Sequence, residues 1–327
     1  MARLASVERD VLRQPPPREP PWYTSRRIGI HTSTAGGVEL AAERAYRLGC
    51  NAFQIFSTSP RQWKPYALTV QQAAAMAGLR EKYGLTPLVV HANYLINLAA
   101  ANSEFLRMSV EAFRSELTRS LLLQAEYLVL HPGSFRGMSR QAGLERVAAA
   151  LALAADGLDL ESGKLTVLLE NTAGAEFSLG GSFEQLAELR SGLAGIVPVA
   201  ACIDTCHTHA AGYDIVSEEG FQATLAHLDA TIGLPNVRVW HCNDAKTPRG
   251  SRLDRHQHVG EGAIGLQPFR RLLNDPRLAH SAFIAETPID HPGDDRRNVG
   301  TLKSLVREAR PQKRRSSARK VVKSKAS

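Results

Sequence analysis

A chain of 327 residues, 43 % of them hydrophobic, is long enough to bury a large core, and an α/β barrel of this length can be one domain. No apolar run approaches the roughly 18 residues that a membrane helix needs, and the N-terminal segment has no hydrophobic signal region, so neither a membrane protein nor an exported one is expected. The net charge of +8 comes from 40 Lys and Arg against 32 Asp and Glu. Eight of the basic residues lie at 310–327 without an acidic residue, which leaves 32 against 32 in residues 1–309.

Composition divides the chain into three parts. Residues 1–25, rich in proline and charge, are predicted to form a flexible arm, and residues 26–309 a single globular domain. Residues 310–327 are polycationic and are predicted to form a disordered tail.

Strands and helices alternate along the globular part. Eight short apolar segments are predicted as strands, at 26–31, 52–56, 88–91, 127–131, 165–170, 199–204, 237–241 and 282–286. Helical segments are predicted between them at 38–48, 70–83, 102–125, 139–157, 182–194, 217–232 and 266–274. Nearly continuous apolar strands that alternate with helices predict a parallel (β/α)8 barrel, the TIM barrel of the α/β class.

Seven of the eight predicted strands end on a titratable residue. These residues are His31, His91, His131, Glu170, Asp204, His241 and Glu286. Burial of so many titratable groups together is costly unless something pairs with them, and divalent cations are the obvious partner. After the seventh strand, Asp254 and His256 have the spacing of two ligands to one ion in an extended loop.

The types of ligand narrow the choice of metal. Imidazoles mixed with carboxylates favour Zn²⁺, with Mn²⁺ or Fe²⁺ as alternatives, and the number of ligands implies two or three ions. Close metal pairs are typical of phosphoester hydrolysis. The four cysteines form no CxxC pair and are expected to be reduced structural thiols at Cys50, Cys202, Cys206 and Cys242.

Six ordered motifs extend this interpretation. They are His91-Ala-Asn-Tyr-Leu-Ile-Asn97, His131-Pro-Gly-Ser134, Glu170-Asn-Thr-Ala-Gly174, Asp204-Thr-Cys-His207, His241-Cys-Asn-Asp-Ala-Lys246 and Asp254-Arg-His256. With these motifs, residues 28–288 resemble the endonuclease IV family of apurinic/apyrimidinic (AP) endonucleases, which act in base excision repair. The resemblance implies a metallonuclease domain at 26–309 that carries three zinc ions.

The resemblance also implies where each ion binds. His91, His131 and Glu170 would hold the first zinc, and Glu170 would bridge to a second zinc held by Asp204, His241 and Glu286. The third zinc would bind His207, Asp254 and His256. His31, His209 and His258 match no ligand position and are expected to support the site or lie exposed.

The implied reaction is hydrolysis of duplex DNA on the 5′ side of an abasic site. A zinc-activated hydroxide would attack the phosphorus in line and leave a 3′-hydroxyl and a 5′-deoxyribose phosphate. Glu170 would orient or deprotonate the attacking water. Arg61, Tyr94 and Leu95 match the positions that enter the duplex at the lesion. A monomer in the cytoplasm, close to a bacterial chromosome, is expected.

Several alternatives remain open at this point. A sugar isomerase or epimerase of the xylose isomerase-like barrels would share the architecture, and a lesion-binding protein without turnover would share the motifs. The family's usual Gln-Gly is replaced by Ala175-Glu176, which puts one loop contact with the substrate in doubt. The basic tail could be a solvated segment without a role, a nonspecific DNA tether or a nuclear localisation signal.

Overall fold

A barrel of parallel strands forms the body of the protein in a computed structural model that describes residues 11–17 and 21–307. The strands are β1 (Arg27–Ile30), β2 (Phe53–Phe56), β3 (Leu88–His91), β4 (Tyr127–Leu130), β5 (Thr166–Glu170), β6 (Val199–Asp204), β7 (Val237–His241), β8 (Asp244–Ala245), β9 (His256–Gln257) and β10 (Ala282–Ala285). Eight of them form one sheet in the order β1-β10-β7-β6-β5-β4-β3-β2, and β8 pairs with β9 in a separate antiparallel hairpin.

Helices follow the barrel strands, as the alternating sequence pattern predicts. They are α1 (Leu40–Leu48), α2 (Val70–Tyr83), α3 (Ser103–Leu122), α4 (Arg140–Ala155), α5 (Phe183–Leu193), α6 (Thr205–Ala210), α7 (Glu218–Thr231), α8 (Leu266–Asn274) and α9 (Asp294–Leu305). Local signals explain their limits: α2 begins at a capping box between Thr69 and Gln72 and ends at Gly84, which has a φ of 65°. None of the helices among the described residues is long and apolar enough to span a membrane.

The first and second strands close the barrel. The Ile28 carbonyl accepts the backbone N–H of Asn51 at 3.0 Å, and the Asn51 side chain accepts the Ile28 N–H at 2.7 Å. Toward the carboxyl ends of these strands, His31 pairs with Gln54 in a parallel bridge, and Thr32 N–H donates to the Gln54 carbonyl at 2.7 Å. These contacts join the two ends of the sheet order, which confirms the predicted TIM barrel.

Alternation along the strands decides which side chains enter the barrel. The interior is filled by a small apolar cluster that comprises Ala52, Val89, Val129, Leu168, Ala200, Cys202, Val239, Ala282 and Ile284. A larger apolar cluster, which includes Phe53, Leu128 and Leu169, packs the outside of the sheet. Because side chains alternate with a period of two, Glu170 and Asp204 follow Leu168 and Cys202 on the inner side, at the mouth.

The predicted strand positions are confirmed to within one residue, and the sequence interpretation missed three of the elements named above. These are the short helix α6, the β8–β9 hairpin and the final helix α9. The described part of the N-terminal segment has defined contacts: residues 11–13 are helical, Val11 lies in the core and the Arg47 guanidinium donates to its carbonyl at 3.2 Å. The predicted tail at 310–327 lies outside the described residues, and the division into domains stays a prediction.

Substitution of Gly29 tests how tightly β1 and β2 approach each other. A Cβ at this position would lie 2.1 Å from the Ala52 carbonyl oxygen, so Gly29→Ala is expected to lower the free energy of unfolding by about 3 kcal/mol or more. Gly78, inside α2, has nothing within 4 Å of its added Cβ, and Gly78→Ala should stabilise the protein by about 0.5–1 kcal/mol. Denaturant unfolding of both variants measures the difference, and equal stabilities would contradict the close approach.

Candidate metal centre

The carboxyl ends of the strands and the loops that follow them bring nine side chains into three groups. Within each group one potential ligand atom per residue lies within 4.8 Å of the others. The groups are His91, His131 and Glu170; Glu170, Asp204, His241 and Glu286; and His207, Asp254 and His256. These are the three ligand sets that the sequence resemblance implies, so the structure brings together all nine predicted metal-site residues.

Glu170 lies at the centre of the cluster and is fully buried. Its Oε2 atom is 3.2 Å from His91 Nε2 and 3.3 Å from His131 Nε2. Its Oε1 atom is 3.0 Å from His241 Nδ1 and 3.4 Å from His207 Nδ1. One carboxylate therefore faces imidazoles from all three groups.

Three of the imidazole rings are held so that the Nε2 atom of each points at a carboxylate. Nδ1 of three rings donates to a backbone carbonyl: His91 to Ala92 at 2.8 Å, His207 to Asn171 at 2.9 Å and His256 to Glu286 at 3.1 Å. Their Nε2 atoms then face carboxylate oxygens at 3.2 Å: Glu170 for His91, and Asp254 for His207 and His256. In a neutral ring, a lone pair would face another lone pair, so each gap needs a proton or a metal ion.

The electrostatics of the cluster agree with a need for cations. Burial would raise the pKa of the Glu170 carboxyl, but the attraction of His131 and His241 holds this pKa well below its usual value. Burial would lower the pKa of His256, but Asp204 and Asp254 raise it to about 9. Without metal the cluster therefore keeps protons between its carboxylates and imidazoles, and a binding metal ion has to displace them.

A fourth, overlapping group combines Asp204 and His256 with Cys206. Burial raises the pKa of the Cys206 thiol to about 12, so this sulfur is protonated and is a weaker ligand than the carboxylates around it. All four cysteines are free and buried, as predicted.

Neutral amide side chains hold the ligands in place, and an interpretation based on titratable residues missed them. Gln54 accepts from His241 Nε2 at 2.8 Å and donates to Glu286 Oε1 at 2.5 Å. Asn243 donates to Asp204 Oδ2 at 2.6 Å and accepts the Glu286 N–H at 2.7 Å. The signal for Gln54 was its inward position on β2, beside the titratable strand ends.

The three other histidines near the cluster differ in their surroundings. His31 Nδ1 lies 3.0 Å from Gln54 Nε2 and 3.7 Å from Glu286 Oε1, so it contacts the ligand network from β1. His258 is buried and bonded to Asn298. His209 is also buried, and neither of its nitrogens has a hydrogen-bond partner among the described residues.

The loops that carry the predicted DNA contacts lie next to each other at the mouth. These contacts are Arg61, Tyr94 and Leu95. Asn93 Nδ2 donates to the carbonyls of Ser59 and Gln62 at 2.9 and 2.7 Å, and this ties the loop of Tyr94 to the loop of Arg61. Tyr94 is 58 % exposed, although its ring centroid is only 5.6 Å from that of His91. An exposed aromatic side chain therefore lies directly beside the first ligand group.

Two buried charged side chains hold the loop of Arg61 in place. Glu116 accepts from the hydroxyls of Ser57 and Thr58 at 2.6 and 2.7 Å, and Arg119 donates to the Tyr66 carbonyl at 2.9 Å. Both charged residues come from α3 and lie in the interior. The loop is thus fixed at both ends, while Arg61 itself is exposed.

Open space surrounds Tyr94 on two sides. A cleft of about 780 Å³ extends from Tyr94 past His31 and Glu286, and a smaller one of about 210 Å³ lies between Tyr94, His131 and Asp254. Ligand atoms of all three groups are thus reached from the mouth of the barrel.

Comparison with known proteins defines the class first. Residues 42–309 match the family described as xylose isomerase-like TIM barrel. A D-tagatose 3-epimerase-like protein superposes with a TM-score of 0.60 at 20 % identity, over 85 % of this chain and 96 % of that chain, and shares the fold alone.

More similar proteins identify the family within this class. A probable endonuclease 4 of Solibacter usitatus is 50 % identical over 86 % of this chain and 97 % of its own length, and one of Chloroflexus aurantiacus is 43 % identical over 86 % and 99 %. Endonuclease IV from Thermus thermophilus superposes with a TM-score of 0.75 at 40 % identity, over 85 % of this chain and 98 % of that chain. The chain belongs to the endonuclease IV family. The family prediction is confirmed, and the endonuclease interpretation is favoured over the sugar isomerase one.

Replacement of Gln54 tests the outer support of the metal centre. Gln54→Leu leaves His241 Nε2 and Glu286 Oε1 without their amide partner, so affinity for divalent metal should fall by about 10- to 100-fold. Competition with a chelator measures this affinity. Gln141→Leu, on the exposed face of α4, makes the same chemical change away from the site and should have no effect. Equal metal affinities would show that Gln54 does not hold the ligands.

Proposed function

We propose that this protein is an AP endonuclease that hydrolyses the phosphodiester bond on the 5′ side of abasic sites in duplex DNA. The products would be a 3′-hydroxyl and a 5′-deoxyribose phosphate, as required in base excision repair. The observation that carries the proposal is the shared position of Glu170 between two ligand groups, with a third group 3.4 Å away through His207. Membership in a family of endonucleases agrees with this reaction.

The metal content of the centre is part of the proposal. Three zinc ions per chain would match the three groups, because each group offers imidazole nitrogen together with carboxylate oxygen. Mn²⁺ or Fe²⁺ could substitute, since both accept the same donors. In the proposed assignment, His91, His131 and Glu170 hold the first ion, Glu170 with Asp204, His241 and Glu286 holds the second, and His207, Asp254 and His256 hold the third.

The side chains themselves position the reactants. When bound, the ions would lower the pKa of water and neutralise charge on the phosphate. Glu170 is fully buried and has a strongly lowered pKa, so it stays ionised and can accept a hydrogen bond from the attacking water. Gln54 and Asn243 keep the surrounding ligands oriented, and the rigid strand ends fix their separations.

Positive charge around the mouth supports binding to the DNA backbone. Exposed basic side chains on the loops that follow β2 and β7 include Arg61, Lys64, Lys246, Arg252 and Arg255. None of them forms an ion pair with another described residue within 4 Å, so their charge is available to phosphates. Metal ions bound in the centre would add positive charge near these side chains, whereas residues 1–309 by themselves have a formal net charge of zero.

Selection of abasic sites would depend on the linked loops of Arg61 and Tyr94. Side chains inserted into the base stack can replace a missing base, and extrusion of a nucleotide costs least where no base has to be unpaired. Tyr94 and Leu95 lie on one loop and Arg61 on the neighbouring loop that Asn93 ties to it. The proposal assigns recognition of the lesion to these three side chains.

The chain is also proposed to act as a monomer in the cytoplasm, beside the chromosome. All nine proposed metal ligands come from one chain, so the centre needs no second copy.

Incision of defined duplexes tests the proposed activity. Metal-loaded protein should cut a duplex with one abasic-site analogue on the 5′ side and leave a 3′-hydroxyl that a DNA polymerase extends. Prolonged chelation should abolish incision, and zinc should restore it. The identical undamaged duplex should stay intact, and failure of fully loaded protein to cut the abasic duplex would overturn the proposal.

Glu170→Gln separates chemistry from DNA binding. The amide cannot serve two ligand groups as a carboxylate does, so turnover should fall by about 100-fold or more while affinity for the abasic duplex stays close to that of the unchanged protein. Single-turnover incision and binding titrations measure the two quantities. Glu145→Gln, on the exposed side of α4, is the matched control. Normal turnover in Glu170→Gln would exclude the bridging role.

A further inference from the structure

The loops that follow β4 and β5 run side by side at the mouth. Leu179 N–H donates to the Gly133 carbonyl at 2.9 Å, and Phe135 N–H donates to the Phe177 carbonyl at 2.9 Å. Both loops begin at proposed metal ligands, because His131 directly follows β4 and Glu170 is the last residue of β5. The paired loops thus extend the first ligand group outward toward solvent.

The β4 loop is also tied to the loop of Tyr94. Asn97 Nδ2 donates to the Ser134 carbonyl at 3.0 Å, and its Oδ1 accepts the Ser134 N–H at 2.9 Å. Gly133 has a φ of 103°, and a Cβ on it would lie 2.2 Å from Asn97 Oδ1, so the contact requires glycine. Hydrogen bonds therefore connect one rim of the mouth from the Arg61 loop to Phe177.

The guanidinium of Arg136 lies over an aromatic ring on this rim. Its guanidinium carbon is 4.9 Å from the centroid of the Phe177 ring, and Phe135 packs edge-on against the same ring at 5.7 Å and 78°. Arg136 is exposed, and no carboxylate of a described residue, including the neighbouring Glu176, pairs with it within 4 Å. Stacking on a ring orients the guanidinium while the N–H groups at its edge stay free to bind an anion.

The backbone of Phe177, beneath Arg136, is strained. Phe177 has a φ of 64°, in the left-handed region that aromatic residues seldom adopt. Such a conformation costs free energy and persists only where surrounding contacts impose it, as the paired loops do here. It presents the Phe177 ring to Arg136.

We propose that Arg136, stacked on Phe177, binds a backbone phosphate of duplex DNA at the β4–β5 side of the mouth. The inference rests on the proposed function, because it assumes that DNA is the substrate. It places a phosphate contact on the β4 loop, beside the segment where Ala175-Glu176 departs from the family pattern. Since phosphates occur at every nucleotide, Arg136 should contribute to binding of damaged and undamaged duplex alike.

The salt dependence of binding tests this contact. Loss of one phosphate contact reduces the slope of log affinity against log salt by about 0.9. Arg136→Gln should show this reduction with an undamaged duplex, which metal-loaded protein should leave intact. Arg27→Gln removes the same charge from an exposed position at the opposite end of the barrel and should leave slope and incision unchanged. A slope in Arg136→Gln equal to that of Arg27→Gln would overturn the inference.

The ring itself supplies a second test. Phe177→Tyr keeps a flat ring beneath the guanidinium and should retain the slope and affinity of the unchanged protein. Phe177→Leu keeps apolar bulk without the ring and should weaken binding to the undamaged duplex several-fold; equal affinity of the two variants would contradict the stacking role. Absence of incision by the unchanged protein would instead refute the proposed function, so the two failures are distinguishable.

Discussion

The candidate metal centre depends on one carboxylate, which lies among imidazoles inside the mouth of the barrel. Glu170 is fully buried, and water cannot solvate its charge. Four imidazoles each have a nitrogen within 3.4 Å of one of its two oxygens: those of His91, His131, His207 and His241. A neutral imidazole does not compensate the charge of the carboxylate, so a proton or a metal ion has to join them. The arrangement is stable only with added positive charge, and the closed sheet supplies the rigidity that keeps the groups apart.

Much of the fold and most of the ligands follow from the sequence for a simple reason. Parallel strands that are buried on both faces need continuous apolar segments, and the titratable residue at the end of each segment then marks the barrel mouth. His91, Glu170 and Asp204 were accessible to this reasoning. Asp254 and His256 lie beyond the strand ends, and their spacing paired them as ligands to one ion. Spacing alone does not fix where this pair lies in space, and the family resemblance joined His207 to it.

Several of the parts that the sequence did not reveal are neutral side chains or elements too short to show a pattern. Gln54 is neutral and lies within an ordinary strand, and its role depends on His241 and Glu286, which are far away along the chain. Asn93 and Asn97 connect loops across the mouth, and such pairings depend on how the strands are arranged around the barrel. The β8–β9 hairpin has only two residues in each strand, too few for a detectable pattern.

The shared ligand has a thermodynamic consequence. Glu170 belongs to the first and second groups, and Asp204 Oδ2 of the second group lies 3.6 Å from His256 Nε2 of the third. If the groups bind metal as proposed, occupancy at one position would change the affinity at the others, and linkage would make this coupling reciprocal. The protein should fill its sites as an interdependent set, so that its titration with metal reflects the whole cluster and not a sum of independent sites.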